Sequence, residues 1–234
     1  EWKETVRTGA FFDKIRPLVV DETKLEAQRT RYLHALDEFE KLFGDGPVEL
    51  FSAPGRSEVG GNHTDHQRGK VLACSLNLDV IAVVRKRVDG VITVQSEGYP
   101  LDRVDLKELD PVAGEEGTSK ALIRGVAGAL AEAGYTVGGF DAYTTSEVLQ
   151  GSGMSSSAAF EVLVGTIFNN LLSAGKSAIE IAQIGQYAEN VYFGKPCGLM
   201  DQMASSVGNI IAIDFADPAA PVVTPMAFDF ASCG

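Results

Sequence analysis

Apolar residues recur at helical spacing in four stretches of the chain. In the first, Leu25, Tyr32, Leu36, Phe39 and Phe43 line one side; Thr23 with Glu26 reads as a capping box, and Gly44 is placed as a stop. The second, over residues 120–133, carries Leu122, Val126 and Leu130 and ends at Gly134. In the third, Ala158, Val162 and Ile167 share a face with Ala159, Leu163 and Leu171. The fourth opens on a Ser177–Glu180 capping box and continues through Ile181, Ile184, Ala188 and Val191.

Shorter runs rich in Val, Ile, Thr and aromatic residues predict strands at 48–51, 140–148 and 210–213, with 226–230 also strand-like. Residues 71–87 and 91–95, joined across Asp89-Gly90, read as a hairpin. Hairpins mixed with helices, rather than a regular βαβ alternation, predict an α+β fold.

Composition narrows the function. The chain has 234 residues, 45% hydrophobic, enough for one large domain or two small ones. A formal net charge of −12 argues against nucleic-acid or anionic-membrane partners, whose phosphates would be repelled. Cys74, Cys197 and Cys233 show neither metal spacing nor an even disulfide framework, and no signal peptide or long apolar run is visible. A cytoplasmic protein is the expectation. Both ends look cut, as in a fragment.

The run Gly151-Ser152-Gly153-Met154-Ser155-Ser156-Ser157 leads from a predicted strand into a predicted helix. Glycines let main-chain amides converge, and a helix's first turn has unpartnered N–H groups and partial positive charge, so this is a candidate phosphate loop. It lacks the Gly-Lys-Ser/Thr of a Walker A loop and the third glycine of a Rossmann fingerprint. Gly175-Lys176-Ser177 imitates a P-loop end, but Asn170 stands where the first glycine would be. From Pro54 to His66 a polar loop places Arg56, Asn62, His63 and Asp65 close together, a donor and acceptor inventory suited to a polyhydroxylated ligand. Cys197-Gly198-Leu199-Met200-Asp201-Gln202 sets one carboxylate between a turn and a predicted helix.

In chain order, the three segments resemble the signatures of galactokinases, within the GHMP small-molecule kinase superfamily. The resemblance implies a GHMP kinase N-terminal domain (ribosomal protein S5 domain 2-like), a mixed sheet with helices, over residues 46–234. It also implies an N-terminal helical extension over 1–45 and a C-terminal domain largely absent. It implies ATP-dependent phosphorylation of the C1 hydroxyl of α-D-galactose, with ATP and Mg²⁺ as cofactors. Gly151 to Ser157 would hold the triphosphate, Ser157 and Glu189 the metal, and Asn62, His63, Asp65 and Gly198 the sugar. Asp201 would be the base, with Arg56 beside it to stabilise developing charge. The isolated chain is expected to hold the site's parts without robust turnover. Related readings are a kinase for galacturonate, arabinose or N-acetylgalactosamine, and a catalytically silent sugar and ATP sensor. Galactokinases usually read Gly-Arg-Val-Asn-Leu-Ile-Gly-Glu-His-Thr-Asp-Tyr, whereas this chain has Glu58, Asn62 and His66 at the Asn, Glu and Tyr positions. Glu58 and Asn62 are therefore expected to share one hydrogen-bond network in which an amide and a carboxylate have traded places.

Overall fold

A computed structural model describes residues 2–19 and 21–228. Helices α1 (Trp2–Arg7), α2 (Phe12–Ile15) and α3 (Leu25–Phe43) precede strands β1 (Glu49–Gly60), β2 (Lys70–Lys86), β3 (Val91–Ser96) and β4 (Leu101–Asp105). Helix α4 (Ser119–Glu132), strand β5 (Phe140–Ser146), and helices α5 (Ser156–Leu171), α6 (Ala178–Tyr187) and α7 (Met200–Val207) follow. Strands β6 (Ile210–Asp214) and β7 (Val222–Met226) come last. The expected strand at 226–230 thus shrinks to the last residue of β7, and residues 229 and 230 lie outside the described residues.

One mixed sheet runs β4-β3-β5-β2-β6-β7, with β1 paired along β2. The expected β2–β3 hairpin does not form. β5 sits between them, antiparallel to β2 and parallel to β3, so that α4 lies in a crossover between parallel neighbours. The Asp89-Gly90 turn remains, but pairing with the apolar Phe140–Ser146 strand fills the place a hairpin would use. β4, whose alternation is weak, is an additional edge strand.

Side-chain alternation along β2 gives the sheet two buried faces. Val80, Ala82 and Val84 join Ile123, Val126, Leu163 and Phe168 under α4 and α5. Ile81 and Val83 join Tyr32, Leu36 and Phe39 of α3, with Val6 and Phe11 from further upstream. A third cluster packs α7, through Met200 and Met203, on Val71, Ala73, Ile211 and Ile213.

Helix ends follow the sequence except at α3. Thr23 does not cap it; Asp21 accepts the Thr23 N–H at 2.9 Å and caps a short 3₁₀ turn over Glu22–Lys24 that feeds the helix. The Thr23 hydroxyl is spent on the same carboxylate at 2.6 Å. The Ser177–Glu180 capping box is present. Beyond α6 the backbone widens into a π-helical segment, Ala188–Phe193. The extra residue in that turn rotates Val191 outward, 47% exposed against the expected apolar face, and brings Tyr192 in at 5%. Among the described residues no helix is long and apolar enough to cross a membrane, and Cys74 and Cys197 are free thiols. Cys233 lies outside the described residues.

Candidate active site

The polar segment after Phe51 is not a loop at first: Pro54 to Gly60 extend β1, with a register shift between Pro54 and Arg56. That strand aims Arg56 into the fold, its side chain only 10% exposed. Its guanidinium grips Asp201 with two parallel bonds, Nε to Oδ1 at 2.6 Å and Nη2 to Oδ2 at 2.8 Å. Nη1 donates to the Gly153 carbonyl at 2.6 Å, and the Arg56 main-chain N–H donates to the Met154 carbonyl at 3.1 Å. Arg56 therefore ties the strand, the glycine-serine loop and α7 at one point. A Cβ on neighbouring Gly55 would press on the Met154 carbonyl and Val148 at 3.0–3.1 Å. The Ser205 hydroxyl, donating to the Pro54 carbonyl at 2.7 Å, fastens α7 to the same strand.

Asp201 lies in the first turn of α7, where a carboxylate also meets favourable helix charge. Burial pushes its carboxyl upward, but hydrogen bonds from Arg56 and Ser155, with the positive charges of Arg56 and His63, outweigh this and hold it below the ordinary value. It is an ionised group at neutral pH.

Gly151, Gly153 and Ser155 all take left-handed backbone angles, at φ 75°, 80° and 56°. Ser155 occupies the N-cap of α5 but makes no side-chain cap, because its hydroxyl donates to Asp201 instead. The first-turn amides of a 16-residue helix are thus left without a side-chain acceptor. Within the loop, the Ser152 hydroxyl donates to the Leu149 carbonyl. At the second residue of the helix, the Ser157 hydroxyl donates to Glu189 Oε1 at 2.9 Å.

Glu189 is 2% exposed and belongs to the π-helical segment. Lys195 Nζ lies 3.0 Å from its Oε1, and Gln202 Nε2 donates to its Oε2 at 2.8 Å and to Glu161 Oε2 at 2.9 Å. Burial first, and then the Glu189 charge, push Glu161 well above the carboxylate range, against the opposing Gln202 hydrogen bond. Sequence reading passed over Lys195 and Glu161. Neither stands in a recognisable spacing, and only chain folding brings them to Glu189.

The third group forms around Asp65, whose Oδ2 accepts the Met200 N–H at 3.2 Å. A side chain at Gly198 would collide with the Asp65 carboxylate, so the close approach of the two requires glycine there. Asn62 and His63 both take left-handed angles. The anticipated Glu58–Asn62 network is absent. Glu58 instead holds His63, accepting its main-chain N–H at 2.9 Å and lying 3.0 Å from Nε2, while the exposed Asn62 side chain makes no hydrogen bond.

Arg56, Gly153, Ser155 and Asp201 are in direct contact, as are Ser157 with Glu189 and Asp65 with the Gly198–Met200 turn. A cavity lined by Ile15, Tyr32, Leu78 and Asp79 shares none of these residues.

Comparison with known proteins agrees with this constellation. Residues 121–209, which carry the glycine-serine loop, Glu189 and Asp201, match the GHMP kinases N terminal domain. Residues 37–86, which carry Arg56 to Asp65, match the galactokinase galactose-binding signature. The chain thus carries a GHMP kinase N-terminal domain match and a galactokinase galactose-binding signature. Galactokinase of Streptomyces coelicolor is 37% identical over 184 residues, covering 77% of this chain and 48% of that protein. Galactokinase of Lactococcus lactis subsp. cremoris is 34% identical over 187 residues, covering 78% and 47%. The crystal structure of L. lactis galactokinase complexed with galactose superposes with a TM-score of 0.77 at 32% identity, over 85% of this chain and 53% of that one. The chain thus spans about half the length of the curated relatives it matches.

Proposed function

We propose that this chain carries the sugar- and phosphate-binding parts of an ATP-dependent galactokinase, which transfers the γ-phosphoryl group to the C1 hydroxyl of α-D-galactose. The observation that carries this is the paired contact of Arg56 with Asp201, residues 145 positions apart, beside the uncapped N-terminus of α5. The match to the galactose-binding signature and the likeness to a galactose-bound relative support galactose as the sugar.

In this reading Asp65, the Gly198 turn, His63 and Asn62 bind sugar hydroxyls, and Asp201 accepts a hydrogen bond from the hydroxyl that attacks. Asp201 is too acidic to remove that proton early. Phosphoryl transfer is usually loose, so orientation dominates, and the proton passes to Asp201 as the new P–O bond forms. Arg56 fixes the carboxylate in place and supplies positive charge to the reacting oxygens. The amides of Gly151 to Ser157 bind the phosphates at the positive end of α5.

Ser157 and Glu189 fit a partial Mg²⁺ site: a hydroxyl and a buried carboxylate meet at 2.9 Å, all-oxygen donors that leave the other positions to water and phosphate. When bound, the cation would neutralise phosphate charge. Lys195, on the same carboxylate oxygen, gives Glu189 a standing counter-charge.

The test is a phosphorylation assay of the intact protein with MgATP across free sugars, with the product position read by NMR. Galactose 1-phosphate as the preferred product is expected. Preference for galacturonate, arabinose or N-acetylgalactosamine would reassign the substrate, and sugar and ATP binding without turnover would make it a sensor.

A further inference from the structure

We propose that Lys195 is a resident counter-cation for Glu189, holding the carboxylate against a free divalent cation and releasing it to one that arrives with phosphate, whose oxygens then take the ammonium. This rests on the reading of Ser157 and Glu189 as metal-binding residues.

The lysine is tied to Glu189 twice. Its main-chain N–H donates to the Glu189 carbonyl at 3.1 Å, just after Gly194 ends the π-helical segment at φ 79°. Its Nζ donates to Glu189 Oε1 at 3.0 Å. The base of the side chain is thus fixed to the residue it neutralises, while the side chain itself is 60% exposed against 2% for the carboxylate.

Only one oxygen of Glu189 is left for a cation. Gln202, fully buried, donates to Oε2 at 2.8 Å, so ligation falls to Oε1. A carboxylate oxygen has two lone pairs, and on Oε1 the Ser157 hydroxyl and the Lys195 ammonium take both. A hydroxyl can turn its hydrogen away and offer its own lone pairs to the same cation; an ammonium has hydrogens only. Lys195 is therefore the group that must leave.

With Lys195 in place, carboxylate and ammonium cancel. A bare divalent cation finds no net negative charge on this pair and must break it to enter. A cation that carries a polyphosphate brings the anion that the displaced ammonium needs. Helix α5 begins at Ser156, so phosphate held by its first-turn amides lies beside Ser157, which shares Oε1 with the lysine. Lys195 thus favours the metal–nucleotide complex over the free ion.

Titration of the intact protein with Mn²⁺, following the free ion by electron paramagnetic resonance, tests this without turnover. In Lys195→Met, which keeps the stem and removes the charge, affinity for Mn²⁺ alone should rise at least about tenfold, while Lys195→Arg, which keeps the charge, should match the unmodified protein. Adding Glu189→Gln to Lys195→Met should abolish the gain, which locates the new binding on this carboxylate. With a non-hydrolysable ATP analogue present the sign should reverse, and Lys195→Met should bind the Mn²⁺–nucleotide complex at least about threefold more weakly. Unchanged affinity for Mn²⁺ alone in Lys195→Met, or a parallel gain for free and nucleotide-bound Mn²⁺, overturns the proposal. Glu189→Gln by itself separates the two readings. If it binds the Mn²⁺–nucleotide complex as well as the unmodified protein does, the metal role of Glu189 falls and takes the proposal with it; if it binds more weakly while Lys195→Met changes nothing, only the role of Lys195 is lost.

Discussion

Asp201 and Glu161 are two buried carboxyls displaced in opposite directions, and each displacement has a consequence. Asp201 is held below its ordinary value by Arg56 and Ser155, so it stays ionised well below neutral pH. Any stability or activity that depends on its charge is present above the unfolded value of about 3.9 and is lost only as pH falls through the lower folded value. An acid limb of kcat near pH 6 would therefore report another group. Asp201→Asn should lower kcat by roughly 10²–10³, the equivalent of about 2.7–4 kcal/mol for one well-aimed group, with ATP affinity from calorimetry little changed. A near-normal kcat would remove Asp201 from the base role. Glu161 is raised, so its contribution has the opposite sign: it is fully present below the unfolded value of about 4.3 and is lost as pH rises toward the folded one. Glu161→Gln keeps the shape without the ionisation. Its melting temperature should gain on the unmodified protein as pH is raised from about 4 to 7, and parallel Tm profiles would contradict the assignment. The candidate residues were partly legible as motifs, since Arg56, Ser157 and Asp201 stand in recognisable segments, whereas Glu189 entered only through the family resemblance. Their partners were not, because Glu58 gripping His63 and Lys195 reaching Glu189 depend on turns whose geometry is set by backbone angles rather than by spacing.

At the scale of elements, hydrophobic periodicity located α3, α4, α5 and α6, because a buried stripe at 3.6-residue spacing is a local property, while α7 was anticipated only as a helix near Asp201. Partner choice in the sheet is not local, and the β2–β3 hairpin was lost to β5 because any apolar strand of suitable length competes for the same edge. The π-helical segment was equally invisible, since one extra residue in a turn leaves no mark on composition. It sets which side chain is inside: Tyr192 packs on Gly125 and Gly128 of α4 and donates to the Leu109 carbonyl at 2.9 Å, whereas its neighbour Val191 is 47% exposed. Tyr192→Phe should cost about 1 kcal/mol for the lost hydrogen bond. Val191→Ala, which a regular helix would make the damaging change, should stay within about 0.5 kcal/mol. Denaturant unfolding of both variants measures the register directly, and a reversed order of cost would mean that α6 runs on without the bulge.

The whole molecule is a sheet covered on both faces, and only one face carries the candidate site. Helices α5 and α4 cover one side, while α3 and the residues before it cover the other through Tyr32, Leu36 and Phe39 against Ile81, Val83 and Tyr143. Residues 1–45 carry little functional information in the sequence, and the described residues among them form this second cover. One polar fastening is Arg31, 11% exposed, which reaches Asp79 of β2 at 2.5 Å, the Asp79 and Thr145 carbonyls at 2.8 and 3.0 Å, and Glu147 at 3.2 Å. Arg31→Met would keep the apolar stem but leave Asp79 half-buried without its cation. Loss of one partner of a buried pair costs about 3–5 kcal/mol, and partial exposure of these carboxylates reduces that to ~2–3 kcal/mol. The loss should be unevenly distributed. Because α3 touches the sheet through its own cluster and α5 through another, amide exchange in Arg31→Met should quicken across α3 and the facing strand β5 while the α5 amides keep their protection. Equal acceleration in both layers would show that the two faces unfold as one unit, and that the N-terminal helices are a structural condition of the phosphate loop rather than an independent cover.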